Sequence, residues 1–189
     1  MDIFLETDRL ILRQFTVADL DNVVELDSDP EVMRYINGGQ PTPRDKIQND
    51  YLPWWMAYYT RFANYGFWAV IEKSSGEFLG WFHFRPFGDA GLDEPELGYR
   101  LRKSAWGKGY ATEGSRALIH KGFAELGVRR VTASTDAVNI ASRRVMEKCG
   151  LVLVRTFSAP RPDEIDGEPH EAVEYALERT AWTGTPGRD

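Results

Sequence analysis

Apolar and polar positions change period several times along the chain. In "RLILRQF" (9–15) they alternate in part, the two-residue period of a half-buried strand. Thr16 then predicts an N-cap, with Asp19 at the third helical position, where a carboxylate suits the helix dipole. A helix follows through "VADLDNVVEL". Asp29 and Pro30 predict the cap and first position of a second short helix, "DPEVMRYI". "NGGQPTP" (37–43) reads as a loop, and "RDKIQNDYLPWWMAYYTRFA" as a helix broken near Pro53.

The middle of the chain returns to the short period. "GFWAVIEK" (66–73) and "EFLGWFHFRP" (77–86), joined at "SSG", predict a hairpin, and "DEPELGYRL" (93–101) a further strand. A helix through "EGSRALIHKGFAELG" stops at Gly127, and 128–136 is a strand. "NIASRRVMEKCG" is a helix closed by Gly150, and 151–157 is a strand. "APRPDEIDGEP" is a Pro- and acid-rich loop. The spacing of Val173, Tyr175 and Leu177 makes 170–179 a last strand. This order predicts a mixed α/β or α+β fold with one large sheet. Residues 1–182 form one domain on this reading, and 183–189 a frayed tail.

Composition narrows the function. At 189 residues the chain can bury a substantial core without disulfides or metals. Lys and Arg number 23 against 29 Asp and Glu, a net charge of −6, which argues against a nucleic-acid partner and suits a basic protein tail or a cationic amine. Cys149 is the only cysteine, so no intrachain disulfide forms, which fits a cytoplasmic location; at the end of a helix it reads as a buried small hydrophobe. No basic leader precedes an apolar run, and no segment approaches the ~20 apolar residues of a membrane span.

One stretch stands out chemically. "WGKGYATEG" (106–114) follows a strand and opens a helix, where unpaired N–H groups and the helix dipole favour a phosphate. Thr112 stands where the dinucleotide fingerprint needs its third glycine. Ser115 and Arg116 stand where a nucleoside-triphosphate loop needs Lys and Ser/Thr. A tight turn without a ligand explains the spacing equally well.

"ELGYRLRKSAWGKGYATEG", with "NIASRRVMEKCGL" downstream and "TDRLILRQFTVADLD" upstream, resembles the GNAT superfamily of N-acetyltransferases over residues 7 to 180. It is most similar to the RimJ/RimL-type branch acting on ribosomal-protein N-termini. Ser104 departs from the family's Gln/Arg position; Gly107 and Gly109 match. The resemblance implies a twisted, mostly antiparallel sheet of about seven strands flanked by about four helices, with a splayed central strand pair.

It further implies acetyl-CoA as cosubstrate and no metal. The pyrophosphate would lie on Trp106, Gly107, Lys108, Gly109, Tyr110, Ala111 and Thr112. The pantetheine arm would pair with the backbone of Tyr99, Arg100 and Leu101, and Asn139 and Ser142 would complete the donor site. Asn139 also reads as a plain N-cap. Arg143, Arg144 and Lys148 could meet the adenosine 3′-phosphate or form a solvated face.

Acetyl transfer needs a base for the amine and a proton for the leaving sulfur. Glu96 is the favoured base, with Asp163 or Glu164 in the acidic loop as rivals and His83 as a neighbour that could titrate. Met146 replaces the tyrosine that many members use as acid, and Ser142 is the substitute. The acceptor is a primary amine, either a protein N-terminus or a small molecule, and the protein a monomer or homodimer. The missing tyrosine keeps open a non-catalytic acyl-CoA-binding domain. The aromatic group Trp54, Trp55, Tyr58, Tyr59, Trp68 and Trp81 reads mainly as core, with some members walling the acceptor groove.

Overall fold

The computed structural model describes residues 2–88, 90–159 and 169–184. Eight strands form one sheet in the order β1-β2-β3-β4-β5-β6-β8-β7. They are β1 (Ile3–Glu6), β2 (Leu10–Gln14), β3 (Gly66–Glu72), β4 (Phe78–Arg85), β5 (Glu96–Leu101), β6 (Arg130–Asp136), β7 (Val152–Ala159) and β8 (His170–Glu178). All neighbours are antiparallel except β5 and β6. The strand beyond the expected seven is β1. Its run Ile3-Phe4-Leu5 has no alternation to reveal it, and it is held by pairing with β2 and by Phe4 stacked on Trp68 at 3.8 Å.

Helices α1 (Leu20–Ser28), α2 (Pro30–Asn37), α3 (Arg44–Lys46) and α4 (Leu52–Arg61) precede the hairpin; α5 (Tyr110–Glu125) and α6 (Ile140–Lys148) flank β6. Local signals set their ends. Thr16 N–H donates to Asp19 Oδ2 at 2.8 Å, and Glu31 N–H donates to the Asp29 cap at 2.9 Å. Gly150 N–H reaches the Glu147 carbonyl and Leu151 N–H the Met146 carbonyl, the paired bonds of a glycine-terminated helix. The expected break at Pro53 is absent. A π-helical turn, Ile47–Tyr51, joins α3 to α4 just before it, and the wider turn accommodates the ring and its missing N–H without ending the helix.

The sheet has a core on each face. Phe82, Phe84, Leu97 and Leu101 pack with Leu118, Ile119 and Phe123 of α5, while Phe67, Ala69 and Trp81 pack with Val23, Leu26 and Trp55 of α1 and α4. Gly114, the last glycine of the 106–114 stretch, serves this packing. A Cβ there would lie 2.4 Å from the buried Phe82 ring. Gly114→Ala is therefore expected to cost about 1–3 kcal/mol by overpacking, measured by urea denaturation.

Candidate active site

Strands β5 and β6 touch at one end only. Their single register pair is Glu96 with Thr132, reinforced by Thr132 N–H to the Pro95 carbonyl at 3.1 Å. Beyond it they diverge, and α5 begins where the opened end of β5 leads, after a short turn at Lys103–Ala105. Gly107 (φ +72°) and Gly109 (φ +84°) both lie in the left-handed region that side chains resist, so this connection needs glycine at both places. Gly109 caps α5, leaving the first-turn N–H groups of Tyr110, Ala111 and Thr112 without intrahelical acceptors.

The far wall of the opening is α6. Its cap, Asn139, accepts from Ser142 N–H at 3.2 Å and donates to Thr135 Oγ1 at 3.1 Å. Tyr99 spans the gap from β5: its hydroxyl lies 3.1 Å from the Ser142 carbonyl and 3.0 Å from Ser142 Oγ. Burial pushes the Tyr99 phenol far above its ordinary value, so it stays protonated. Trp106 folds back so that its indole N–H donates to the Leu101 carbonyl at 2.8 Å, engaging one of the backbone acceptors at that end of β5.

On the opposite face lies a charged cluster. Glu96 Oε2 is 3.5 Å from His83 Nε2 and 3.6 Å from Arg85 Nη2. Burial would raise the Glu96 carboxyl, but His83 and Arg85 outweigh it and hold it below the ordinary carboxylate range. Burial lowers His83, against the pull of Glu96. Gly98 makes the arrangement possible, because a Cβ there would meet the His83 ring at 2.5 Å. Arg85 lies over the rings of Trp54, Phe67 and Phe87, and next to it Tyr58, Arg61, Phe62, Pro86 and Leu92 line an open groove.

A splayed strand pair, a glycine loop at a helix N-terminus and a strand carboxylate thus lie along one strand and its exit. The family model described as Acetyltransferase (GNAT) domain matches residues 9–152. The chain belongs to the GNAT acetyltransferase family. An Aspergillus fumigatus relative named FsC-acetyl coenzyme A-N(2)-transacetylase is 34% identical over 188 residues, covering 94% of this chain and 77% of that one. A GNAT-family acetyltransferase from Bacillus anthracis has a solved structure with TM-score 0.80 and 27% identity, covering 95% of this chain and 99% of that one. The ribosomal alpha-N-protein acetyltransferase RimL, solved with coenzyme A, shares the fold at TM-score 0.76 and 18% identity over 96% of this chain and 100% of that one.

As a GNAT acetyltransferase the chain is an acyltransferase, and the family uses acetyl-CoA. The structure brings Tyr99, Asn139 and Ser142 together and puts Gly107 to Thr112 at the start of α5. It places Glu96 on the other face with His83. Glu164 and Asp163 lie outside the described residues. The Arg100 side chain points away from the opening, toward Asp27, so only its backbone faces the opening. Arg143 is committed to the Tyr175 hydroxyl and the Ala137 carbonyl, so it anchors α6. Cys149 is half-buried against α5, less than expected, and its thiol is pushed up to about 12 by the burial it has. Trp55 and Trp81 are core, while Trp54 stays half-exposed under Arg85.

Sequence reasoning missed Arg85 and the Tyr99–Ser142 contact. Only the last had a signal: Tyr99 already sat in the strand assigned to the donor, and Ser142 one turn into the facing helix. Among the described residues no helix is long and apolar enough to cross a membrane, and no His, Cys, Asp and Glu cluster fits a metal.

Proposed function

We propose that this chain moves an acetyl group from acetyl-CoA to a primary amine, and that the acceptor is a small molecule rather than a protein N-terminus. The observation that carries the transfer is the splayed β5–β6 pair with Gly107 and Gly109 at its open end and Glu96 on the same strand. The acceptor half of the proposal leans on the Aspergillus fumigatus relative, which is named an acetyl coenzyme A-N(2)-transacetylase, with no protein acceptor in its name. The RimL likeness extends to the fold alone. A cytoplasmic location is part of this reading, since the one cysteine is free.

The residues fit the donor. Two left-handed glycines and the first-turn N–H groups of α5 would hold the diphosphate, and β5 the arm. When bound, acetyl-CoA supplies an activated acyl thioester. Glu96, ionised beside His83 and Arg85, takes the proton from the attacking amine directly or through one water. With the Tyr99 hydroxyl donating to it, Ser142 Oγ keeps its own proton free on the opposite wall.

The test is thiol release from acetyl-CoA with a panel of small primary amines and N-terminal peptides. Turnover with a small amine above any peptide is the expected result; CoA binding without release by any amine would overturn it. Ser142→Ala is expected to lower kcat about tenfold at saturating acetyl-CoA, the loss of one hydrogen bond made in the transition state. An unchanged kcat removes Ser142 from the chemistry.

A further inference from the structure

The first turn of α5 carries a carboxylate, Glu113, close to where a diphosphate would arrive. A negative charge there steadies the empty helix but repels an anionic ligand. The structure gives Glu113 a dedicated partner 104 residues away in sequence. Arg9 Nε donates to Glu113 Oε2 at 2.6 Å and Nη2 approaches the same oxygen at 2.5 Å, while Arg9 N–H and Thr7 Oγ1 donate to Oε1.

The remaining arm of the guanidinium reaches the loop itself. Arg9 Nη1 donates to the Lys108 carbonyl at 2.9 Å, and the guanidinium lies 4.5 Å from the centre of the Tyr110 ring. A trans peptide points its C=O and N–H in opposite directions. Fixing the Lys108 carbonyl on Arg9 therefore turns the Gly109 N–H away from Arg9. A Cβ at Gly109 would also stand 3.3 Å from Arg9 Nη2, so this glycine admits the guanidinium as well as the left-handed turn.

We propose that Arg9 is a positioning residue for the donor's diphosphate: it orients the Lys108–Gly109 peptide and cancels the charge of Glu113 at the α5 N-terminus. This rests on the reading of the loop as the acetyl-CoA diphosphate site. The Arg9 side chain is 46% exposed and Glu113 18%, so urea denaturation of each variant first establishes that it is folded.

The experiment compares CoA binding by calorimetry and acetyl-transfer kinetics in wild type, Arg9→Gln, Arg9→Lys and Arg9→Gln/Glu113→Gln. Arg9→Gln is expected to weaken CoA binding and raise the KM for acetyl-CoA about tenfold, as expected for a lost charge-assisted contact, with kcat at saturation within about twofold. Arg9→Lys recovers part of the loss through its charge, and the double variant recovers part by removing the uncompensated carboxylate. S-acetylpantetheine, which has no diphosphate, should be used equally well by wild type and Arg9→Gln. An unchanged CoA affinity in Arg9→Gln overturns the proposal, as does an equal loss with S-acetylpantetheine, which would mark a merely structural role. Wild-type protein that binds no CoA sinks the acetyl-CoA reading itself, and this inference with it.

Discussion

Glu96→Gln is expected to lower kcat by roughly two to four orders of magnitude, the range for a lost general base. The substitution keeps the shape of the side chain and removes its charge. In the wild type that charge is secure: Arg85 and His83, 3.6 and 3.5 Å away, outweigh the burial that would protonate it. A depressed carboxyl is ionised above its folded value and loses its function only as pH falls through it. Glu96 therefore remains a base throughout the neutral range, and the rise of kcat/KM with pH should follow the acceptor's own amine. That rise is centred near 7.7–8.0 for an α-amine and near 10.4 for an alkyl amine. The loss in Glu96→Gln should be larger for the more basic acceptor, which arrives protonated and needs the base more. Because Arg85 loses a counter-ion in the variant, CoA titration must first show that it is folded. A folded variant with kcat within about fivefold of wild type would remove Glu96 from proton transfer.

The hairpin, the third strand and both helix–glycine stops were legible because each rests on local chemistry: alternation, an Asp cap before Pro30, a glycine after the last turn. Strand β1 was not, since its three consecutive apolar residues have no period and its place comes from Leu12 and Trp68. Pro53 misled because the local rule was right about the lost hydrogen bond and silent about a π-turn that absorbs it. In the site, the backbone parts were readable from "WGKGYATEG", though its last glycine turned out to serve Phe82. Partners across the sheet were not. Nothing in "FHFRP" and "ELGYRL" says that Gly98 clears space for His83, or that Arg85 shares Glu96 with it. The strands' register decides that, and register is a long-range property.

Asp27→Ala is expected to destabilise the protein by about 3–5 kcal/mol, the cost of leaving a buried charge without its partner. Asp27 is fully buried on α1, and Arg100 Nη1 lies 2.7 Å from each of its carboxylate oxygens, with Thr42 Oγ1 donating at 3.1 Å. Arg100 is itself 9% exposed and packed over Trp81, so water cannot replace the carboxylate. Urea denaturation measures the loss, and a cost under about 1 kcal/mol would place the pair with ordinary surface bridges. Asp27→Leu/Arg100→Met should recover most of it, because an apolar pair carries no desolvation penalty. The pair's value then lies in where it holds β5. Arg100 sits between Tyr99 and Leu101, and its bond to α1 draws this side chain to one face while Tyr99 faces Ser142 on the other. Relaxing it should loosen the end of β5 that opens away from β6. The double variant is therefore expected to regain stability while binding CoA more weakly than wild type.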